Sequence, residues 1–591
     1  MIATPSTQPR RLALLERRPL FATAVFACIG LTLAAELEKT APPDMAFLLY
    51  AAGRVLDGAK LYRDVVEINP PLVIWFNLPI ALLARVTHLS EFAVYRVTAM
   101  VLVGGLFGLC YRMVRYHVFP DQPAYGRWLL LLLCFALFPL SAEDFGQREH
   151  FVLALLAPYL LLVAARLRGH SPPRSDAFLI GALAGVAVAL KPHFVLAWMA
   201  LEAFKMVRWR WRLTPELAGV VGFLVAYAMA VAAVAPEYIA LAAALGPTYV
   251  RYLYEPVYSL LVLAPGAPLV CLVLLTAVVL GPFSRDSKLW ALLAAAIVGC
   301  YLAGLAQQKG LRYHFYPSFA LAFVLLGLTA IDAPDNALRL SQRLYGRVAR
   351  VLTITIMVVV VAARLLDAAG GSPAERRTRA QLDDLVGFVR EHAAGRPVAV
   401  LSYHIAGAFP LVNYAGVPLA SRFPHLWLLP ASYSDSLSQG GALVYHTPAE
   451  MQPPERYMWD AVREDLIGGQ PGLILVLRPA RDAARNGLRR LHYIQYFSRD
   501  PELAALFRQY QLVAEKGEYQ IYQRGDGRRI GPSPSVQPGT LDVQRTQLHE
   551  VRLQVLEPDF LIGLAVFAVV WVLLSFIDRR RSSPESVAAP R

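Results

Sequence analysis

Charge and cysteine are both scarce in this sequence. Asp, Glu, Lys and Arg make up 17% of the residues, against about a quarter in soluble domains. Residues 129–140, 260–280 and 560–577 carry no formal charge at all. Apolar runs approaching ~18–20 residues suit a bilayer core better than a globular one. The five cysteines, Cys28, Cys110, Cys134, Cys271 and Cys300, all fall inside apolar runs. That placement excludes a disulfide framework or a Cys-based metal site in the polar part of the chain, and fits packing against helices or lipid. Also missing are a glycine-rich phosphate loop, a dinucleotide fingerprint, an internal repeat, and a clean small-residue cleavage site after the first apolar run.

The charge that is present leans one way, to a formal net +14. In a soluble protein such a balance points to nucleic acid or an acidic partner. Here much of the Lys and Arg sits in short loops between apolar runs, as the positive-inside rule requires, so nucleic acid is discounted. Arg10, Arg11, Arg17 and Arg18 precede the run 20–37, which reads as a retained first span with its N-terminus in the cytoplasm. Residues 38–71 form a first outer loop. The run 71–86 is short and broken by Asn77 and Pro79, and reads as re-entrant or juxtamembrane. Further crossings are expected at 97–109, 128–140, 151–167, 177–190, 194–206, 217–234, 260–280, 289–306, 319–331, 351–366 and 560–577. The basic loops then alternate in step, with about twelve full crossings and both termini inside.

Residues 370–557 are polar and read as a separate domain on the outer side. An amphipathic helix is expected at 376–393 and helical stretches at 454–467 and 501–510. Residues 397–402 and 472–477 read as buried strands and 519–524 as an edge strand, an α/β layer pattern. Residues 525–540 read as a linker back to the membrane.

The candidate chemistry lies in the outer loops. These carry Asp44; Tyr62 and Glu67; Glu143, Asp144, Arg148, Glu149 and His150; Lys191 and His193; and Lys309, Arg312, Tyr313 and His314. The alternation places all of them at one membrane face, where ionisable groups are costly and tend to be functional. A carboxylate beside an acceptor hydroxyl can take its proton as that hydroxyl attacks a sugar carbon. Asp44, opening a helix over 45–56, suits that task, although an Asp there also suits an N-cap. Lys309, Arg312 and His314 suit a phosphate leaving group; interfacial anchoring beside Tyr313 and Tyr316 is the plainer alternative. For Glu143–His150 the plain alternative is a solvated loop with internal ion pairs, and Asp64 and Glu67 read more readily as structural. Asp44 with Glu143, Asp144 or Glu149 would offer oxygen ligands to a divalent cation, Mg²⁺ or Mn²⁺. No ligand spacing demands one, and no zinc site is legible.

At these residues the chain resembles integral-membrane glycosyltransferases of the GT-C superfamily, most of all the bacterial branch with aminoarabinose transferase and protein mannosyltransferases. The likeness covers roughly residues 20–331. It rests on Asp44 in Asp-Met-Ala-Phe-Leu-Leu-Tyr after the first span, on Leu-Tyr-Arg-Asp-Val-Val-Glu-Ile-Asn-Pro-Pro-Leu at 61–72, on 143–150 and on 309–314. It implies a polytopic GT-C-like helical membrane protein with a C-terminal periplasmic α/β domain, in a bacterial inner membrane. It further implies a polyprenyl-phosphate sugar donor, a glycan, lipid or protein acceptor, a base drawn from Asp44, and inversion at the sugar carbon. Three acids, Glu143, Asp144 and Glu149, compete for the second acidic site, so Asp144 and Glu149 stay beside Asp44 as catalytic candidates. The domains would be 1–369, 370–557, and a last span with a basic tail at 558–591. A transporter of lipid-linked sugars would be expected to show repeated halves, and a scaffold would need one anchoring span rather than a dozen.

Overall fold

The computed structural model describes residues 18–209, 213–280, 284–332, 340–439, 443–478, 488 and 491–525. Among these, eight helices are long and apolar enough to cross a membrane: Arg18–Glu38, Glu91–Val118, Pro123–Asp144, Arg148–Leu167, Pro215–Val234, Ser287–Ala306, Arg312–Asp332 and Gly346–His392. The expected runs at 177–190 and 194–206 are the shorter helices Arg174–Leu190 and Val195–Trp209, which turn at Lys191-Pro192-His193. The run 260–280 is two helices, Val257–Leu263 and Ala267–Leu280. Between them Gly266 takes φ +77°, and a Cβ there would meet the Phe319 ring at 2.9 Å. The run 560–577 and nearly all of 525–540 lie outside the described residues. The broken run at 71–86 is two short helices, Leu72–Trp75 and Leu78–Thr87. At the break, buried Asn77 Nδ2 donates back to Val73 O at 2.7 Å.

Lipid tails are as apolar as the helices, so close packing rather than hydrophobic burial must hold the bundle together. The tightest example joins Arg174–Leu190 to Pro215–Val234. Gly181 and Gly185 are four residues apart on one face, and a Cβ at Gly181 would fall 1.9 Å from Glu216 O. Gly219 answers from the other side, its Cβ position 2.2 Å from Phe178 O. Only glycine lets the two backbones touch. The Arg148–Leu167 helix lies at the centre, with its membrane-spanning window entirely buried. Its first turn is thereby fixed deep among its neighbours.

The polar C-terminal part holds a four-stranded sheet ordered β1-β2-β4-β3, with β1 Val398–Leu401, β2 Leu473–Leu477, β3 Tyr510–Lys516 and β4 Tyr519–Arg524. β1 and β2 run parallel, with Val398 opposite Leu473. The Pro453–Gly469 helix lies between them in the chain. Both strands are buried throughout, which fits strands covered on two faces. The helix Pro373–His392 opens with a capping box, Ser372 against Glu375. One expectation is corrected here. β4 is not an edge strand, because β3 pairs along its outer side. Residues 510–516, in which exposed Gln511 and Glu515 stand among exposed Leu512 and Val513 and leave no alternating pattern, supply that cover.

This unit sits on the segment that follows the first long helix. Val66 N–H donates to Arg422 O at 2.9 Å, Leu419 N–H to Tyr50 Oη at 3.0 Å, and Asn413 Nδ2 to Ala46 O at 3.0 Å.

Candidate active site

Four segments that are distant in sequence meet at one end of the bundle. The first is the helix Pro43–Leu56, whose cap position is Pro42 and makes no side-chain cap hydrogen bond. Asp44 therefore lies in the first helical turn and is not the N-cap. Its carboxylate makes no hydrogen bond or ion pair among the described residues. It lies close enough to act electrostatically on Arg148, Lys191 and Tyr313. A carboxylate in a first turn is favoured by the helix dipole.

The second segment is the start of Arg148–Leu167. The sequence suggested a loop here, yet Arg148, Glu149 and His150 form its opening turn. Glu149 is fully buried, and its Oε1 lies 2.8 Å from Lys191 Nζ and 3.7 Å from His314 Nε2. Lys191 opens the turn between Arg174–Leu190 and Val195–Trp209, and is itself buried. Burial and the neighbouring Arg148 charge push the Lys191 ammonium below its ordinary range; Glu149 opposes them. The fourth segment, 307–314, likewise departs from expectation. Arg312, Tyr313 and His314 are the first turn of Arg312–Asp332, and the Tyr313 ring stands 5.9 Å from Lys191 Nζ.

Buried polar atoms in folded proteins are nearly always partnered. Here the exceptions gather. Arg148 Nε and Nη1, Glu149 Oε2 and His314 Nδ1 are buried with no hydrogen-bond partner among the described residues. Glu67 belongs to the same neighbourhood. Its Oε1 accepts from Asn69 N–H at 2.7 Å and from Asn69 Nδ2, and burial raises its carboxyl pKa against the pull of Arg148. Of the seven described non-glycine residues with positive φ, four lie on the segments around this end of the bundle, the others being His88, Ala394 and Gln470. Tyr62 (φ 72°), Ala142 (φ 44°, ψ −113°), Leu253 (φ 53°) and Gln308 (φ 51°) are non-glycine residues in left-handed conformations. Such positions cost roughly 1–3 kcal/mol each and tend to cluster at ligand clamps.

The other sequence-derived candidates border the cluster without joining the Glu149–Lys191 pair. His150 is a brace: its Nε2 contacts Leu137 O at 2.8 Å, and its Nδ1 accepts from Gly146 N–H at 3.1 Å. Tyr62 is another, donating to Asn69 O at 2.8 Å. His193 is exposed beside the Lys191 turn. Arg312 turns away to Glu143 (2.9 Å) and Asp144 (3.4 Å). That trio borders a separate cavity of ≈ 390 Å³, walled by Phe315, Phe319 and Ile356, with Lys39 and Arg364 at its polar side. Lys309 donates to Tyr252 O (2.6 Å) and Tyr249 O (3.2 Å), with Nζ 4.0 Å from the centre of the Tyr249 ring. Burial and Lys191 bring its pKa down to about 7.

Two crystal structures resemble this chain along most of its length. Both are of ArnT from Cupriavidus metallidurans. One, bound to undecaprenyl phosphate, has a TM-score of 0.49 at 13% identity and covers 88% of this chain and 99% of its own. The other, in the apo state, has a TM-score of 0.48 at 13% identity and covers 86% and 98%. No family model matches the sequence, and no curated protein does.

Among the described residues, no three His, Cys, Asp or Glu side chains gather into a set that could hold a metal ion. Of the acids that would supply oxygen, Glu149 is matched by Lys191, and Glu143 and Asp144 by Arg312.

The sequence reading passed over one wall of the site. Tyr249 and Tyr252 carry Lys309 and touch the C-terminal unit, Tyr249 against Trp427 (ring centres 5.0 Å apart) and Tyr252 Oη on Tyr403 O at 3.1 Å. The available signal was the aromatic density of Tyr-Val-Arg-Tyr-Leu-Tyr at 249–254.

Proposed function

We propose that the chain is a membrane glycosyltransferase that moves a sugar from a polyprenyl-phosphate donor to a hydroxyl-bearing lipid, glycan or protein acceptor. The observation that carries this reading is the uncapped Asp44 carboxylate facing cations whose donors are buried and unpartnered, Arg148 Nε and Nη1. Asp44 removes the proton of the acceptor hydroxyl as its oxygen attacks the anomeric carbon. The bond from that carbon to the phosphate oxygen breaks, and the phosphate leaves with the bonding pair. Arg148 and Lys191 receive the developing charge. A single displacement inverts the anomeric carbon.

Glu149 then has a positioning role, holding Lys191 at 2.8 Å. Arg312 with Glu143 and Asp144 guards the adjoining apolar-walled cavity, whose chemistry suits an isoprenoid chain. The wider arrangement we infer is about twelve crossings in a bacterial inner membrane, with both termini cytoplasmic and the C-terminal α/β unit periplasmic. The basic loops support that orientation. Purified protein in lipid nanodiscs, given a polyprenyl-phosphate sugar and a mixture of hydroxyl acceptors, tests the reading by release of free polyprenyl phosphate. Release that is absent from wild type, or undiminished in Asp44→Asn, would overturn it.

A further inference from the structure

The opposite end of the bundle carries a second constellation that the proposed chemistry does not use. The Glu91–Met113 helix begins beside the cluster, where Tyr95 Oη donates to Gly146 O at 2.5 Å. Its 23 residues carry the chain about 34 Å away. There it passes into a π-helical turn, Val114–Val118, a form frequent at functional sites. Beside this turn a cavity of ≈ 810 Å³ opens between the Arg18 end of the first helix and the start of Pro123–Leu137.

Its lining carries charge of one sign. Arg18, Arg115 and Arg127 reach it from three separate elements, with no Asp or Glu among the described residues that line it. Arg127 Nε is buried without a hydrogen-bond partner among the described residues. Of the acids on adjacent loops, Asp176 is held by Arg112 at 2.8 Å and Asp286 by Arg168, while Asp121 is exposed and is not part of the lining. The remaining walls are apolar and aromatic, including Phe21, Phe107 and Tyr111. Gly104 and Gly108 share one helix face along the cavity, and a Cβ at either would meet nothing within 4 Å. Unlike Gly181 and Gly219, they leave room that no described part of the chain fills.

A cationic mouth over an apolar trough fits a lipid with a phosphate head. Basic pockets between membrane helices hold anionic headgroups in this way. We propose that this cavity binds an anionic phospholipid, its phosphate held by Arg18, Arg115 and Arg127 and an acyl chain laid along Gly104 and Gly108. The trough would be idle if the occupant were a soluble phosphate.

The test uses full-length protein in a neutral detergent, titrated with cardiolipin or with phosphatidylcholine, with bound lipid counted by native mass spectrometry. Cardiolipin should be retained at concentrations at least about tenfold lower than phosphatidylcholine. Arg115→Gln with Arg127→Gln should weaken cardiolipin binding roughly 30-fold, each removed charge counting for several-fold. Gly108→Leu fills the trough, spares every arginine, and should also weaken binding, so it remains informative if the double variant does not fold. Equal retention of the two lipids, or undiminished cardiolipin binding in Gly108→Leu and in a folded double variant, overturns the proposal. Displacement of cardiolipin by inorganic phosphate at millimolar concentration would assign the arginines to a soluble anion and remove the lipid.

Discussion

Lys191 Nζ lies 2.8 Å from Glu149 Oε1, and both side chains are buried, so two segments that begin about forty residues apart share one ion pair at the heart of the candidate site. Removing one partner of such a pair strands a buried charge, at a cost of about 3–5 kcal/mol. Glu149→Gln and Lys191→Met should each lower the thermal unfolding temperature, and the double variant should recover part of the loss. Sugar transfer should be lost in all three, since the cation or its placement is gone. Additive destabilisation in the double variant would show that the two side chains do not act as a pair.

Asp44 offers a cleaner separation of chemistry from folding. Its carboxylate caps nothing and pairs with nothing among the described residues. Asp44→Asn keeps the volume and removes the base, so transfer should fall by about 10²–10⁴-fold while unfolding stays near that of wild type. Rates measured with saturating donor and acceptor decide the matter; a rate within a few-fold of wild type would take Asp44 out of the mechanism.

Lys309 should make stability depend on pH. Its pKa is brought down to about 7 in the folded protein, well below that of an unfolded lysine. Above pH 7 and below the unfolded value, the unfolded chain binds a proton that the folded chain has released. Stability therefore rises with pH across that window. Lys309→Met, which keeps the apolar stem against Tyr249, should flatten that rise. Thermal unfolding followed from pH 6.5 to 9.5 reads the difference, and identical slopes would contradict the assignment.

Two glycines that look alike in the sequence should respond in opposite ways. Gly181→Ala places a methyl group 1.9 Å from Glu216 O, so the helix pair must separate. Overpacking of this kind costs about 1–3 kcal/mol or more. Gly104→Ala meets open space and should be neutral or slightly stabilising, because alanine favours the helix by about 1 kcal/mol. Paired melting curves test both.

The long apolar helices were legible because apolar length is a local signal, whereas the run 260–280 gave no sign of its break at Gly266. The sequence could separate neither His150 from Arg148 nor Arg312 from Tyr313. Adjacent residues on a helix point in different directions, and only packing decides which side faces the site. Asp44 was ambiguous for a related reason: whether it caps the helix depends on which residue the helix begins with, and Pro42 takes that place. The 249–254 wall was missed because its partners, Tyr403 and Trp427, lie some 150 or more residues onward. β3 escaped notice because its exposed positions mix Gln511 and Glu515 with Leu512 and Val513, so no alternation marks it, although its pairing with β4 is continuous but for one bulge.

The contacts of Tyr249 and Tyr252 with Trp427 and Tyr403 also bear on when the site comes into being. Every member of the charged cluster leaves the ribosome before residue 320, whereas the part that leans on the Lys309 clasp is made later. A nascent copy thus owns base and cations but has one side of its chamber open. Folding of the sheet domain against residues 43–66 supplies the missing wall, so under the proposed function an unfinished chain would lack an enclosed site.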